Sequence, residues 1–291
     1  MKVYIETDIE GIAGYISFED RETQTIENFY HRQRMYRLLT GEVNAAIQGA
    51  KEAGADVIYV NDSHGSGYNI IFEELEDGCE IIHGRGSHFP EWLTDLKGAD
   101  VMVLIGMHAM GGELDGVCPH TRWIVRTKEG IIYLSEASMA MSLAGDLGIP
   151  AVFISGDQIV TAEVKEKNPD IITGIVKYSY GPNCCRSVLP SKAKEIIKEG
   201  VKKGINNRQH IKPFVIKGPL TLNLLDAPGH IPPLKPALKT SVKGESITEA
   251  FNNAMKKFPW ASFGKKEMDW YRYPTNLSGK KSKRGEKWEN L

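Results

Sequence analysis

The chain has 291 residues, enough for one large or two modest domains with a substantial core and no need of disulfide staples. Hydrophobic residues make up 41% and charged residues 25%, which excludes a disordered or fibrous chain, and the formal net charge of −1 gives no global electrostatic reason to bind nucleic acid. No apolar run reaches the roughly 18 residues read as a membrane span, and the start, Met1 to Glu6, turns acidic without the apolar stretch of a secretory signal, so the expected location is the cytoplasm.

The first predicted strand, Val3-Tyr4-Ile5, runs into Thr7-Asp8-Ile9-Glu10-Gly11. Met35, Leu38, Leu39, Val43, Ala46, Ile47 and Ala50 then follow helical spacing, and Gly54 is the stop signal. The strand Val57 to Val60 runs into Asn61-Asp62-Ser63-His64-Gly65. Strand, helix, strand at this length is a βαβ unit, which implies parallel pairing. A short helix is expected over Glu91 to Leu96, then a strand, Val101 to Ile105, leading into Gly106-Met107-His108. His120 follows in the loop Val117-Cys118-Pro119-His120-Thr121, and the strand Ile131 to Leu134 leads into Ser135-Glu136. Ser135 is placed to cap a helix to Leu147, with Gly148 as its stop. The apolar run Ala151 to Ile154 reads as a strand buried on both faces, with Asp157 just after it, a short helix from Thr161 to Lys167, and a strand from Ile171 to Val176.

This alternation predicts a layered α/β domain with a largely parallel central sheet over residues 1–185. A smaller α+β region over 186–262 follows. It holds an amphipathic helix from Ser191 to Ile205, strands at Phe214 to Ile216 and Leu220 to Leu225, a Pro-rich loop from Pro228 to Pro236, and the capping box Ser246-Ile247-Thr248-Glu249 opening a helix to about Phe258. Residues 263–291 form a polar basic tail, expected to pack on a neighbouring subunit through Trp270 and Tyr271 or to stay solvated.

Acidic and imidazole side chains recur at the ends of successive strands. In an open α/β sheet the functional crevice lies outside the carboxyl ends of the strands. Asp8, Glu10, His64, His108 and Glu136 should therefore converge on one edge as metal ligands, a carboxylate and imidazole set suited to zinc. Asp8 and Glu10, two apart in extended chain, point to the same side. Each motif also has an ordinary reading: solvated loop carboxylates, a hydrogen-bonded loop histidine, or, for Glu136, a charge that complements the helix dipole. His120 is a candidate nucleophile or general base, or a surface histidine. The cysteines Cys79, Cys118, Cys184 and Cys185 lack Cys-x-x-Cys spacing and read as reduced thiols. The sequence has no P-loop, no G-x-G-x-x-G after a strand, no G-x-S-x-G elbow and no H-E-x-x-H helix, which disfavours the enzyme classes built on them.

Taken in order, Asp8-Ile9-Glu10-Gly11-Ile12, Val60-Asn61-Asp62-Ser63-His64, Gly106-Met107-His108-Ala109, Gly116-Val117-Cys118-Pro119-His120 and Ser135-Glu136 resemble the D-aminopeptidase family. The similarity extends to about residue 260. The resemblance implies a dinuclear zinc peptidase acting on short peptides with an N-terminal D-residue. In it Asp8, Glu10, His64, His108 and Glu136 bind two Zn2+ ions, Asp8 bridges them, and His120 is the catalytic nucleophile or base. It also implies a homo-oligomer, a decamer of two stacked pentamers with interior active sites. The segment from Gly14 to Arg34, the basic tail and Cys118-Pro119 depart from the family pattern. The competing readings are another dinuclear metallohydrolase, such as a phosphoesterase or cyclic-amide hydrolase, and a non-catalytic metal-binding assembly protein.

Overall fold

A computed structural model describes residues 1–18, 25–65, 67–84, 92–225 and 241–257. The Pro-rich loop, the basic tail with Trp270 and Tyr271, and Glu91 lie outside the described residues.

The chain builds a layered α/β fold around a seven-stranded sheet. Its strands are β1 (Lys2–Thr7), β2 (Val57–Asp62), β3 (Glu80–Ile82), β4 (Val101–Met107), β7 (Ala151–Asp157), β8 (Ile172–Gly181) and β9 (Cys184–Ser187), in the spatial order β3-β2-β1-β4-β7-β8-β9. All neighbours are parallel except β9, which returns antiparallel on β8. A second, four-stranded antiparallel sheet is formed by β5 (Arg122–Thr127), β6 (Gly130–Leu134), β10 (Lys217–Leu225) and β11 (Ser241–Ser246), in the order β11-β10-β5-β6.

Alternation along the central strands divides the core in two. Val3 and Ile5, with Val101, Val103 and Ile105, pack beneath α1 (Ile26–Glu52) and α4 (Pro190–Asn206). Tyr4, Met102, Leu104 and Ile154 face α2 (Glu136–Asp146), α3 (Gln158–Lys167), the smaller sheet and α5 (Ile247–Lys257). The predicted periodicity of α1 is its buried face, and the helix begins nine residues earlier than Met35, at the polar turn that Thr25 caps by accepting from Asn28 N. Gly54, at φ 82°, ends it.

Several expectations need correcting. Ile131 to Leu134 is not a strand of the parallel sheet. It is the edge of the smaller sheet, paired with β5 as a hairpin across Thr127–Gly130. Phe214 to Ile216 is not a strand; β10 begins at Lys217, with Ile216 buried just before it. Residues 92–95 form turns rather than a helix. The helix expected from Thr161 starts at Gln158, since the Asp157 carboxylate accepts from Ile159 N and Val160 N and caps it. The smaller sheet draws β5 and β6 together with β10 and β11, and α4 packs on α1.

Candidate metal centre

The chain leaves β1 toward β2 on one side and later enters β4 on the other, which makes the crevice between β1 and β4 the switch point of the sheet. Ligands bind such crevices because the loops on either side diverge and leave a cleft. Asp8 and Glu10 leave β1, and His108 leaves β4. His64 comes from the loop after β2, and Glu136 opens α2 behind the Ser135 cap. His120 precedes β5 and forms an isolated bridge with Met110. The structure brings all six side chains together.

Asp8 is the centre of the cluster. Its Oδ1 lies 2.9 Å from His64 Nδ1, and its Oδ2 lies 3.3 Å from His108 Nε2. On the first side Glu10 Oε2 stands 3.2 Å from the same His64 nitrogen. On the second side Glu136 Oε1 is 3.9 Å from both His108 Nε2 and His120 Nε2. The two imidazoles stack with centroids 3.8 Å apart, and Phe18 meets His120 edge-on at 5.1 Å. Two lobes thus share one carboxylate.

Backbone carbonyls fix which nitrogen each ring presents. His108 Nδ1 is 2.8 Å from Ala109 O, and His120 Nδ1 is 2.9 Å from Cys118 O, so each Nδ1–H donates outward and each Nε2 faces the cluster. Asp8 Oδ2, Glu10 Oε2 and His108 Nε2 are buried without a hydrogen-bond partner. Orphaned buried donors and acceptors are costly, and here Asp8 Oδ2 and His108 Nε2 face each other while Glu10 Oε2 faces His64. Ligand atoms of Asp8, Glu10 and His108 fall within 4.8 Å of one another, as do those of His108, His120 and Glu136. This donor set fits divalent zinc, with oxygen and nitrogen ligands and no thiol.

The electrostatics describe a site crowded with negative charge. Burial, then the charge of Glu10, raises the Asp8 pKa to about 7, with His64 pulling the other way. Burial also opposes ionisation of Glu10, but His64 outweighs it and holds that carboxyl below its usual range. Burial works against a charged His108, yet the Glu136 carboxylate, with Asp8 and Glu10, raises it to about 10. Glu136 is likewise disfavoured by burial and still brought down to about 2 by His108. Burial and then the His108 charge lower His120, which keeps its imidazole neutral. Buried Asp8 and Glu10 and half-buried Glu136, with protonated histidine between them, form a place where a cation can replace protons. Burial pushes the Cys118 thiol up to about 12, so it is no thiolate nucleophile. All four cysteines are unpaired by disulfides.

Each loop has its own support. Asp62 accepts from Asn69 N at 2.6 Å and from Ile70 N at 2.8 Å, and Asn69 Nδ2 donates to His64 O at 2.6 Å. Asp157 Oδ2 accepts from Val117 N at 2.9 Å, holding the loop of His120, whose neighbours Cys118 and Thr121 take left-handed φ of 46° and 52°. Glu163 Oε1 accepts from Ser138 Oγ at 2.7 Å under the first turn of α2. Sequence reasoning passed over Phe18, Glu42, Glu163 and Lys177. Of the supports, Asp62 stands in a strand-end motif that the sequence singles out, and Asp157 just after a strand.

A family model described as D-aminopeptidase matches residues 1–226. The chain belongs to the D-aminopeptidase family. The ordered motifs at the strand ends imply that same family. A D-aminopeptidase of Bacillus subtilis (strain 168) is 28% identical over 220 residues, 74% of this chain and 77% of that protein. A solved structure described as a Zn-dependent D-aminopeptidase DppA from Bacillus subtilis, a self-compartmentalizing protease, shares the fold at TM-score 0.74 and 21% identity, over 87% of this chain and 94% of that one. Family membership favours a peptidase over the phosphoesterase, cyclic-amide hydrolase and assembly-protein readings. No described helix is long and apolar enough to cross a membrane.

Proposed function

We propose that this chain is a zinc-dependent aminopeptidase that cleaves short peptides bearing an N-terminal D-residue. Asp8, Glu10, His64, His108 and Glu136 would hold the two zinc ions. The observation that carries this is the division of Asp8, one oxygen facing His64 and the other His108, at the switch point of the sheet. Family membership supports the reaction and the D-residue. Two zinc ions, when bound, supply the positive charge that polarises a peptide carbonyl and acidifies water.

The chain's own residues do the rest. His120, with Nδ1 committed to Cys118 O, offers Nε2 as the atom that takes a proton and returns it to the leaving amine. The stacked His108 ring and the edge of Phe18 restrict that imidazole to one orientation. Burial of His108 and Asp8 keeps bulk water from the reacting centre.

The subunits assemble as a homo-oligomer, a decamer of two stacked pentamers in the full proposal. Exposed apolar side chains support an assembly: Phe29 and Tyr30 on α1, Tyr180 on β8 and Leu189 before α4. Sedimentation of the purified chain measures the ring size.

The deciding experiment measures metal per chain together with hydrolysis of D-alanyl and L-alanyl peptides, before and after chelation. About two zinc ions per chain and chelator-sensitive, D-selective cleavage are expected. Two ions with phosphate-ester but no peptide cleavage would replace the reading with another dinuclear hydrolase. A chain that takes no metal after reloading would end it.

A further inference from the structure

Lys177 lies in β8 and is fully buried, an unusual place for an ammonium. Its Nζ donates to two backbone carbonyls, those of Glu10 and of Tyr15, the latter at 2.9 Å. The Tyr15 ring also faces it, at 5.8 Å from the ring centre. Glu42, buried on α1, accepts from Ala13 N at 2.8 Å. Two side chains from distant elements thus hold three backbone groups of the segment between β1 and α1. Burial lowers the pKa of this ammonium, and the charge of Asp157 offsets part of that.

A buried cation is expensive, and an apolar side chain of the same length fills the same volume without that cost. What the ammonium provides beyond volume is N–H donors aimed at carbonyls of residues 8–18, which have neither helix nor strand to satisfy them. One of these carbonyls belongs to Glu10 itself. The other is three residues before Phe18, whose ring borders His120. On the opposite side of the same segment, Gly11 N donates to Gly106 O at 2.8 Å, so the turn is clamped between β4 and β8.

We propose that Lys177 is a positioning residue: by holding the Glu10 and Tyr15 carbonyls it sets the direction of the Glu10 carboxylate toward His64 and the placement of Phe18 against His120. This rests on the two-zinc reading above. Removing the ammonium frees the turn and loosens the lobe made by Glu10 and His64, while the lobe of His108 and Glu136 keeps its own supports.

Zinc titrations against a chromophoric competitor, on apo wild type and apo Lys177→Met, test this, with cobalt(II) spectra of both as a second readout. The wild type should take two ions. Lys177→Met should keep one affinity and lose roughly 10- to 100-fold in the other, the range found when partners of metal ligands are removed. Its cobalt spectrum should change at one equivalent only. A folded Lys177→Met with both affinities and the spectrum of the wild type would overturn the proposal. If that variant does not fold, Lys177→Gln, which keeps an N–H donor on a shorter arm, takes its place: one weakened ion supports the role and two wild-type affinities overturn it. A wild type that binds no zinc removes the two-zinc reading itself, and this proposal with it.

Discussion

Gly11→Ala is a small change with a large expected effect. A Cβ at Gly11 would stand 2.0 Å from Met107 O and 2.5 Å from the carbonyl carbons of Gly106 and Met107. These are backbone atoms, so no side chain can swing aside. Ordinary contact begins at 3.4 Å, and reaching it requires the two segments to part by about 1.4 Å. That movement separates the chain carrying Asp8 and Glu10 from the chain carrying His108. It also strains the bond from Gly11 N to Gly106 O. Overpacking of this kind costs about 1–3 kcal/mol and the weakened hydrogen bond about 1 kcal/mol more. A displacement of about 1 Å among reacting groups lowers rate on the order of 100-fold. Zinc content, urea denaturation and peptide hydrolysis should therefore all fall in Gly11→Ala. Gly54→Ala is the control, since its Cβ meets nothing within 4 Å and the site is remote; its φ of 82° costs about 1–2 kcal/mol with zinc content unchanged. Wild-type zinc affinity and turnover in Gly11→Ala would refute the close approach of these two loops.

Other substitutions separate binding from chemistry. His64→Ala and His108→Ala should each lower zinc per chain and hydrolysis together, and full metal occupancy in either removes that residue from the ligand set. His120→Ala should keep two zinc ions and lose about 100- to 10,000-fold in kcat, the scale of general acid–base catalysis; loss of one ion instead would make His120 a ligand. The pKa of Glu42 is raised by burial from 4.5 to about 7. The folded state therefore holds that proton more tightly, and ionisation opposes folding. Stability from this group is complete below about pH 4.5 and is lost as pH rises through 7, by about 3 kcal/mol. Glu42→Gln should flatten that slope in denaturation with chelator present, and an unchanged slope would show that the buried carboxyl is not its source.

The chemistry was more legible in the sequence than the packing. Asp8, Glu10, His64 and His108 follow strands whose apolar runs are unmistakable, and parallel strands carry their carboxyl ends to one edge. Glu136 was placed by the same argument, yet it reaches the cluster by another route. Its strand, β6, belongs to the antiparallel sheet, and the Ser135 cap and first turn of α2 swing it in. Periodicity says which residues form a strand but not which sheet receives it. The pairing of β5 with β10 joins Arg126 to Thr221 and Trp123 to Leu224, across about 100 residues, and no local pattern announces such a partner. Lys177 was invisible for another reason. It follows Val176, where the apolar run ends, and a lysine there reads as the solvated end of a strand.

The long reach of β10 also bears on how the molecule is made. All six residues of the cluster lie in the first half of the chain. A nascent chain that has just released Glu136 has the Met110 bridge and the β5–β6 hairpin to carry His120 and Glu136, but no β10 beside that hairpin. Trp123, fully buried in the finished fold, still lacks Phe251, whose ring will sit 5.3 Å away. Isolated hairpins are marginal in water, so the lobe of His108, His120 and Glu136 acquires its shape only after β10 and α5 have emerged. The lobe of Asp8, Glu10 and His64 depends on elements closer to the start, apart from Lys177. Synthesis thus presents the cluster in two instalments, and a chain cut before β10 would contain every ligand and still lack half the site.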